Sequence, residues 1–355
     1  MSTETRITPP PSAADETGCG LSCFGSGAMP ADARDSHAEH TAGNCTANST
    51  EAVEPCPSPM SWVDVVQRLR TDSAPWEISC GSYSIAGRTI GTGKPLYFLG
   101  GATGDSDLFA LTAWLLKDEF RCVLYDYPDH SARNHKGRPL TIDDYADDLL
   151  AVIEDQHDEQ IVAYAVSLGV PVLLTAMQRH PERIGRAIVQ GGRIRLPLTG
   201  LERLMLRCGR LLPGKLRHLP GRETIWKQNH RAWFPPFDFS RWNFFADVTG
   251  DVALKTLAHR LSLMHQTDLR HVAGQLSQPV LIIGTEGEGP RLAAQRQALE
   301  QALPFSRTEL LDTTGLVPFL THPHRLKKMM RPFLTCEELL MSIAHSSRAE
   351  KNNPH

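Results

Sequence analysis

The stretch Ile161-Val162-Ala163-Tyr164-Ala165-Val166-Ser167-Leu168-Gly169 decides how the chain is read. An apolar run stops at a serine, and helix-compatible Pro171-Val172-Leu173-Leu174 follows. This is the pattern of a strand that turns sharply into a helix with the serine at the corner, a nucleophile elbow. Residues two before and two after that serine must be small, because larger side chains strike the flanking strand and helix. Ala165 and Gly169 meet the demand. An A-x-S-x-G pattern also arises by chance in buried strands, so the surrounding segments decide between the two readings.

Upstream, Lys94-Pro95-Leu96-Tyr97-Phe98-Leu99 reads as a short buried strand ending in Gly100-Gly101-Ala102-Thr103-Gly104, with a helix from about Asp107 to Lys117. The next strand is Arg121 to Asp126, left by the loop Tyr127-Pro128-Asp129-His130. Thr141 caps a helix through Glu154 that carries acids in its first turn, where they complement the helix dipole. Further strands are expected at Arg186–Gln190, Gln278–Gly284 and Thr308–Asp312. Before all of these, Ser61–Arg70 has Trp62, Val65, Val66 and Leu69 at helical spacing, and Trp76–Ile90 alternates like an antiparallel hairpin. Apolar strands alternating with helices imply an α/β class, with a mostly parallel sheet covered on both faces. Sites in such sheets form beyond the carboxyl ends of the strands, which is where the loops after 99, 126, 166, 283 and 312 fall.

The chain has 355 residues, 41% hydrophobic content and a formal net charge of -3. That is enough for one large core or two modest ones, and the balance argues against nucleic acid as a partner. Its eight cysteines show neither C-x-x-C pairs nor metal-ligand spacing, so no metal site, no cofactor and no disulfide framework is expected, and a reducing, cytoplasmic compartment fits best. Residues 1–58 are too poor in aliphatic side chains to offset their ordering entropy and read as a disordered tail. Its Cys19, Cys23, Cys45 and Cys56 are open to redox or lipid chemistry, or are incidental thiols. No stretch has the ~18 apolar residues of a membrane span.

The expected organisation is a core over 59–192 and 276–335, a helical cap over 193–275, and a C-terminal tail over 336–355. In the cap, Arg203, Arg207, Arg210, Lys215 and Arg217 interleave with Leu204, Met205, Leu211, Leu212 and Leu216. Such a segment is either a lid helix with one solvated basic face or a contact for an anionic membrane or protein partner. Trp226, Trp233, Phe234, Phe237, Phe239, Trp242, Phe244 and Phe245 either line an apolar pocket or cement the cap.

Taken together, Phe98-Leu99-Gly100-Gly101, Tyr125-Asp126-Tyr127-Pro128, Ala165-Val166-Ser167-Leu168-Gly169, Pro279 to Gly284 and Thr314-Gly315-Leu316-Val317-Pro318-Phe319-Leu320 resemble the landmarks of the α/β-hydrolase fold over roughly residues 75 to 335. The resemblance implies Ser167 as nucleophile and the backbone N–H groups of Ala102 and Leu168 as oxyanion donors. It implies Glu288 as the acid, with Glu286 as rival and a solvated acidic turn as the plain alternative. Where the fold expects Gly-His after the last strand, this chain has Gly315-Leu316, and leucine accepts no proton. Without a base the serine hydroxyl stays a weak nucleophile. His130, beside the strand ending at Asp126, and His322, at the start of the closing helix with His324, are the alternative bases. The chain is also similar to the maspardin family in Phe98 to Phe109, Tyr127-Pro128, Ser167-Leu168-Gly169, Leu257 to Leu263 and Thr314 to Leu320. That family also lacks the histidine, which implies a binding or regulatory role. Val170 and the long amino-terminal tail depart from it.

Two functions follow. One is a degenerate hydrolase that binds a small apolar or acyl-type ligand or a protein partner. The other is a serine hydrolase, acting on a carboxylic ester or amide, with an unusual base.

Overall fold

The computed structural model describes residues 60–335. The expected tail 1–58, with its four cysteines, and the segment 336–355 lie outside the described residues. Helix α1 (Trp62–Asp72) starts at Ser61, whose hydroxyl accepts from the Asp64 N–H while the Asp64 carboxylate accepts from the Ser61 N–H. The hairpin β1 (Ala74–Ser79) and β2 (Ser84–Ile90) leads to β3 (Lys94–Leu99), α2 (Ala110–Leu116) and β4 (Phe120–Tyr125). Then come α3 (Ile142–Asp155), β5 (Ile161–Val166), α4 (Gly169–Arg179) and β6 (Ile184–Gln190). The segment before the next strand is helical: α5 (Gly200–Gly209), α6 (Arg222–His230), α7 (Phe239–Gly250), α8 (Leu254–Gln266) and α9 (Arg270–Gly274), with short 3-10 turns between them. The chain closes with β7 (Val280–Thr285), α10 (Gly289–Ala302), β8 (Ser306–Leu311), α11 (Pro318–Thr321) and α12 (Pro323–Thr335).

The eight strands form one sheet in the order β1-β2-β4-β3-β5-β6-β7-β8. Only the β1–β2 and β2–β4 pairings are antiparallel. This is the α/β class with a mostly parallel sheet that the strand and helix pattern implied, in the arrangement of the α/β-hydrolase fold that the landmarks resemble. Period-two alternation divides each inner strand between two apolar layers. Tyr97, Leu99, Ala163 and Ala165 pack toward α3 and α4, whereas Leu96, Phe98, Tyr164 and Val166 pack toward α2 and α12.

Some boundaries differ from the sequence reading, for local reasons. The helix expected from Asp107 begins as a 3-10 turn, Ser106–Phe109, because the Asp105 carboxylate accepts from the Asp107 N–H at 2.8 Å and tightens the entry. β4 stops at Tyr125 because the Asp126 carboxylate turns away to accept from the Ser106 N–H at 2.7 Å.

A close approach of backbone to backbone lies at the start of α4. A Cβ built on Gly169 would stand 2.6 Å from the Leu99 carbonyl oxygen, so α4 can leave β5 at this angle only over a glycine. Gly169→Ala should therefore destabilise the protein by about 1–3 kcal/mol. Gly200→Ala, where a Cβ meets nothing within 4 Å, should not. Urea unfolding of the two variants checks the difference.

Candidate functional site

Ser167 sits between β5 and α4 with φ 51°, in the left-handed region that side chains other than glycine rarely enter. That conformation costs about 1–2 kcal/mol, and neighbouring backbone holds it. The Ser167 N–H donates to the Gln190 carbonyl at 3.1 Å, and the Gly169 N–H donates to the Gly100 carbonyl at 3.0 Å. A Cβ on Gly101 would lie 3.5 Å from the Ser167 Cβ. The loop after β3 is thus drawn against the serine.

Ala102 and Leu168 are buried on either side of it. Among the described residues, neither N–H has a hydrogen-bond acceptor. Both are backbone donors beside a serine, as stabilisation of a developing oxyanion needs. The Ala102 carbonyl accepts from Arg260 of α8 at 3.0 Å, and the same guanidinium reaches the carbonyls of Tyr127 at 2.9 Å and Pro128 at 3.2 Å. Arg260 is only 3% exposed. It ties the loops after β3 and β4 to the inserted helices. Gly104, with φ 62°, lies beneath it, and a Cβ there would stand 2.3 Å from the guanidinium.

Ser167 opens into a cavity of about 360 Å³ whose exposed surface is mostly apolar, within the range of small-molecule sites. Its floor includes Gly101, Ala102, Leu108, Phe109 and Phe319. The inserted helices and their connections supply Trp226, His230, Trp233, Phe245, Thr249, Leu257 and Leu261. The aromatic cluster therefore serves both expected ends. Trp226, Trp233 and Phe245 line the cavity, Phe234 and Trp242 are buried beside them, and Phe237 and Phe239 face solvent.

Leu316 lines this cavity together with Ser167. Its carbonyl accepts from Gln190 Nε2 at 2.9 Å, and Gln190 Oε1 accepts from the Tyr164 hydroxyl, so the loop after β8 is fixed to the sheet. Glu288 does not line the cavity. Its carboxylate, 5% exposed, pairs with Arg296 of α10 at 2.7 Å. Glu286 is exposed on the same turn. His130 Nδ1 lies 2.9 Å from the Thr256 hydroxyl, and His322 Nδ1 lies 2.9 Å from that of Thr321 and 3.2 Å from that of Thr313. His322 and His324 border a different depression, with Trp62 and Leu111. The structure thus brings together Ser167, Ala102, Leu168 and Leu316, and leaves Glu288, His130 and His322 outside the cavity.

Three cavity residues had drawn no attention in the sequence. His230, at the end of α6, packs its ring 4.3 Å from that of Trp226 and 4.5 Å from that of Trp233. Its Nδ1 lies 3.3 Å from the Trp226 carbonyl, which can only accept, so Nδ1 carries the proton and Nε2 is left as an acceptor. Burial holds its pKa below the ordinary histidine value. Asp105, capping the turn after β3, has its carboxyl pushed up to about 6, first by burial and then by the nearby Asp126 and Asp107 carboxylates. Arg193 follows β6 and also faces the cavity. Without knowledge of where the inserted helices settle, the only local signal for His230 is its place among tryptophans.

Residues 96–328 match the model of the alpha/beta hydrolase family. A strigolactone esterase of Arabidopsis thaliana is 26% identical over 267 residues, which is 69% of this chain and 94% of that protein. Among solved structures, a thermophilic esterase from Thermogutta terrifontis superposes with a TM-score of 0.62 at 18% identity, over 74% of this chain and 98% of its own. An enol-lactonase from Burkholderia xenovorans gives 0.60 at 20% identity, over 73% and 100%. A hydrolase from Pseudomonas aeruginosa gives 0.61 at 18%, over 75% and 99%. At these identities the structures share the fold.

The raised carboxyls make stability fall with pH. Asp105 at about 6 and Asp148, raised by burial to about 7, both stand above the ordinary 3.8, so between about pH 4 and 7 the folded state binds more protons than the unfolded chain. The contribution of these two carboxyls to the unfolding free energy should drop across that window. Asp105→Asn, which keeps an oxygen for the Asp107 N–H, should raise stability above pH 7, leave it unchanged below pH 4, and flatten the slope between. Urea unfolding across a pH series measures this.

Proposed function

The chain belongs to the alpha/beta hydrolase family, and from that membership we propose that it is a ligand-binding member, whose pocket and elbow hold a small apolar or acyl-type molecule without hydrolysing it. One observation carries the reading: Leu316 stands in the cavity wall beside Ser167, on the loop after the last strand, where the base belongs. The Glu288–Arg296 ion pair supports it, since the acid already has a cation. In this role the Ala102 and Leu168 amides hold a carbonyl oxygen of the ligand, and the aromatic side chains of the inserted helices cover its apolar part.

A binding role in the manner of maspardin is the same reading at finer grain; its support is the Thr314-Gly315-Leu316 stretch. Peripheral contact with an anionic membrane is supported by α5 and the turn after it. There Leu201, Met205 and Leu211 are 68%, 63% and 79% exposed beside Arg203, Arg207 and Arg210. The free thiols of Cys80, Cys122 and Cys208 support a cytoplasmic location.

A second reading, a serine hydrolase, is favoured by His230. It faces the same cavity as Ser167, with the proton on Nδ1 and a pKa lowered by burial, so Nε2 is in the form of a general base.

Reaction with a fluorophosphonate probe and turnover of p-nitrophenyl butyrate separate the two. The ligand-binding reading expects no labelling of Ser167, turnover no faster than buffer, and no change with Ser167→Ala. The hydrolase reading expects labelling, and turnover that falls about 10²–10⁴-fold with His230→Ala.

Leu316→His tests the old geometry directly. Since Glu288 is engaged by Arg296, the new imidazole lacks an orienting acid. Any gain in ester turnover should stay below about tenfold, short of the 10²–10⁴ that a positioned base contributes.

Sedimentation with phosphatidylglycerol vesicles tests the membrane contact. Binding should weaken on replacing Arg203 and Arg207 by glutamate, by about 1 kcal/mol for each basic side chain lost. Equal binding to neutral vesicles would remove the electrostatic account.

A further inference from the structure

The walls around Ser167 are apolar apart from a few groups, and one of these is a cation without a counterion among the described residues. Arg193 stands three residues past the end of β6 and borders both the main cavity and a smaller recess formed with Pro171, Leu196 and Met264. Both spaces also touch Ser167. Three other guanidiniums are engaged: Arg260 by three backbone carbonyls, Arg296 by Glu288, and Arg241 by Asp238 and the Thr321 carbonyl. Among the described residues, Arg193 has neither an acceptor within hydrogen-bond distance nor an acid within ion-pair distance. Asp105, the acid that lines the same cavity, is not paired with it.

A cation in an apolar recess is costly unless a partner compensates it. Burial accordingly lowers the Arg193 pKa from its ordinary value. An anion entering the cavity supplies the missing partner.

We propose that the cavity takes an amphipathic carboxylate, with the Arg193 guanidinium as its counterion and Phe109, Leu261 and Phe319 against its hydrocarbon chain. A carboxylate fits better than a phosphate. One planar guanidinium matches its two oxygens with parallel hydrogen bonds, while a second negative charge would go unbalanced and would face Asp105. The head group lies on the Ser167 side, because that is where both spaces meet Arg193. This assignment rests on the cavity being a ligand site, as argued above, and adds the class of ligand.

Trp226 and Trp233 line the cavity and supply the readout. Octanoate and 1-octanol, equal in chain length and different in head group, are titrated into the full-length protein with tryptophan fluorescence recorded. Octanoate should bind at least about tenfold more tightly than octanol, as expected for a charge-assisted hydrogen-bonded pair. Arg193→Gln should remove that advantage by weakening octanoate binding about tenfold more than octanol binding, and Arg193→Lys, which keeps the charge and loses the fork, should restore part of it. Equal affinity of the wild type for octanoate and octanol overturns the role of Arg193 while the ligand-binding reading stands. So does an Arg193→Gln protein, folded by circular dichroism, that still prefers octanoate. If the glutamine variant does not fold, the wild-type preference and its reduction in Arg193→Lys decide. A wild type that binds neither compound at millimolar concentration overturns this inference and the ligand-binding reading together.

Discussion

The close approach of α4 to β3 governs the arrangement of the site. The Leu99 carbonyl leaves no room for a Cβ on Gly169, and the Gly169 N–H is spent on the Gly100 carbonyl. With that end pinned, the chain can pass from β5 into α4 only if Ser167 enters the left-handed region. The register of the sheet supports the strain from both sides: Ala165 lies opposite Leu99 on β3, and Val166 lies opposite Gln190 on β6. Gln190 then extends the constraint outward. Its carbonyl holds the Ser167 N–H and its side chain joins Tyr164 to Leu316. Serine, sheet and the loop after β8 therefore form one connected unit.

Much of this was legible because it is local. Strands buried on both faces read as apolar runs, and the capping residues Ser61 and Thr141 mark their helices by side chains that bond the first turn. The small residues around Ser167 announce the turn, since no other residue types fit there. Boundaries failed where a side chain competes with regular backbone, as at Asp105 and Asp126. Glu288 was readable as a residue at the right turn, but its pairing depends on where Arg296 lands one helix later.

The residues the sequence did not disclose come from far along the chain. Arg260 lies 158 positions from Ala102, whose carbonyl it holds, and nothing in Leu257-Ala258-His259-Arg260-Leu261 tells whether that guanidinium faces solvent or the loop after β3. His230 and Arg193 matter only because the inserted helices return over the sheet edge. Arg260 also shows how this interior handles charge. It has three carbonyl dipoles as partners and no carboxylate, so it anchors the roof to the floor without bringing a negative charge to the cavity. A complete hydrolytic site needs the opposite: a carboxylate pointed inward to stabilise an imidazolium.

Under the ligand-binding reading, leucine at 316 and the ion pair at 288 are a single compensated departure. A carboxylate 5% exposed cannot stand alone, because an unpaired buried charge costs several kcal/mol. Where a triad histidine is present, its imidazole and the surrounding donors meet that need. Once position 316 is leucine, the acid must find another cation or move to solvent, and Arg296 of α10 is within 2.7 Å. The loops themselves have not separated. A Cβ on Gly287 would strike the Thr314 carbonyl at 2.1 Å, so the turn that carries Glu288 still presses on the loop that carries Leu316. On the ligand-binding reading the difference lies in the carboxylate, which faces α10. The backbone frame is kept on this reading, and the cavity holds Arg193, which has no partner among the described residues. Under that reading a cavity that presents Arg193 beside Ser167 while Glu288 faces α10 suits an anion, whereas hydrolysis by serine and imidazole needs a carboxylate directed at the imidazole.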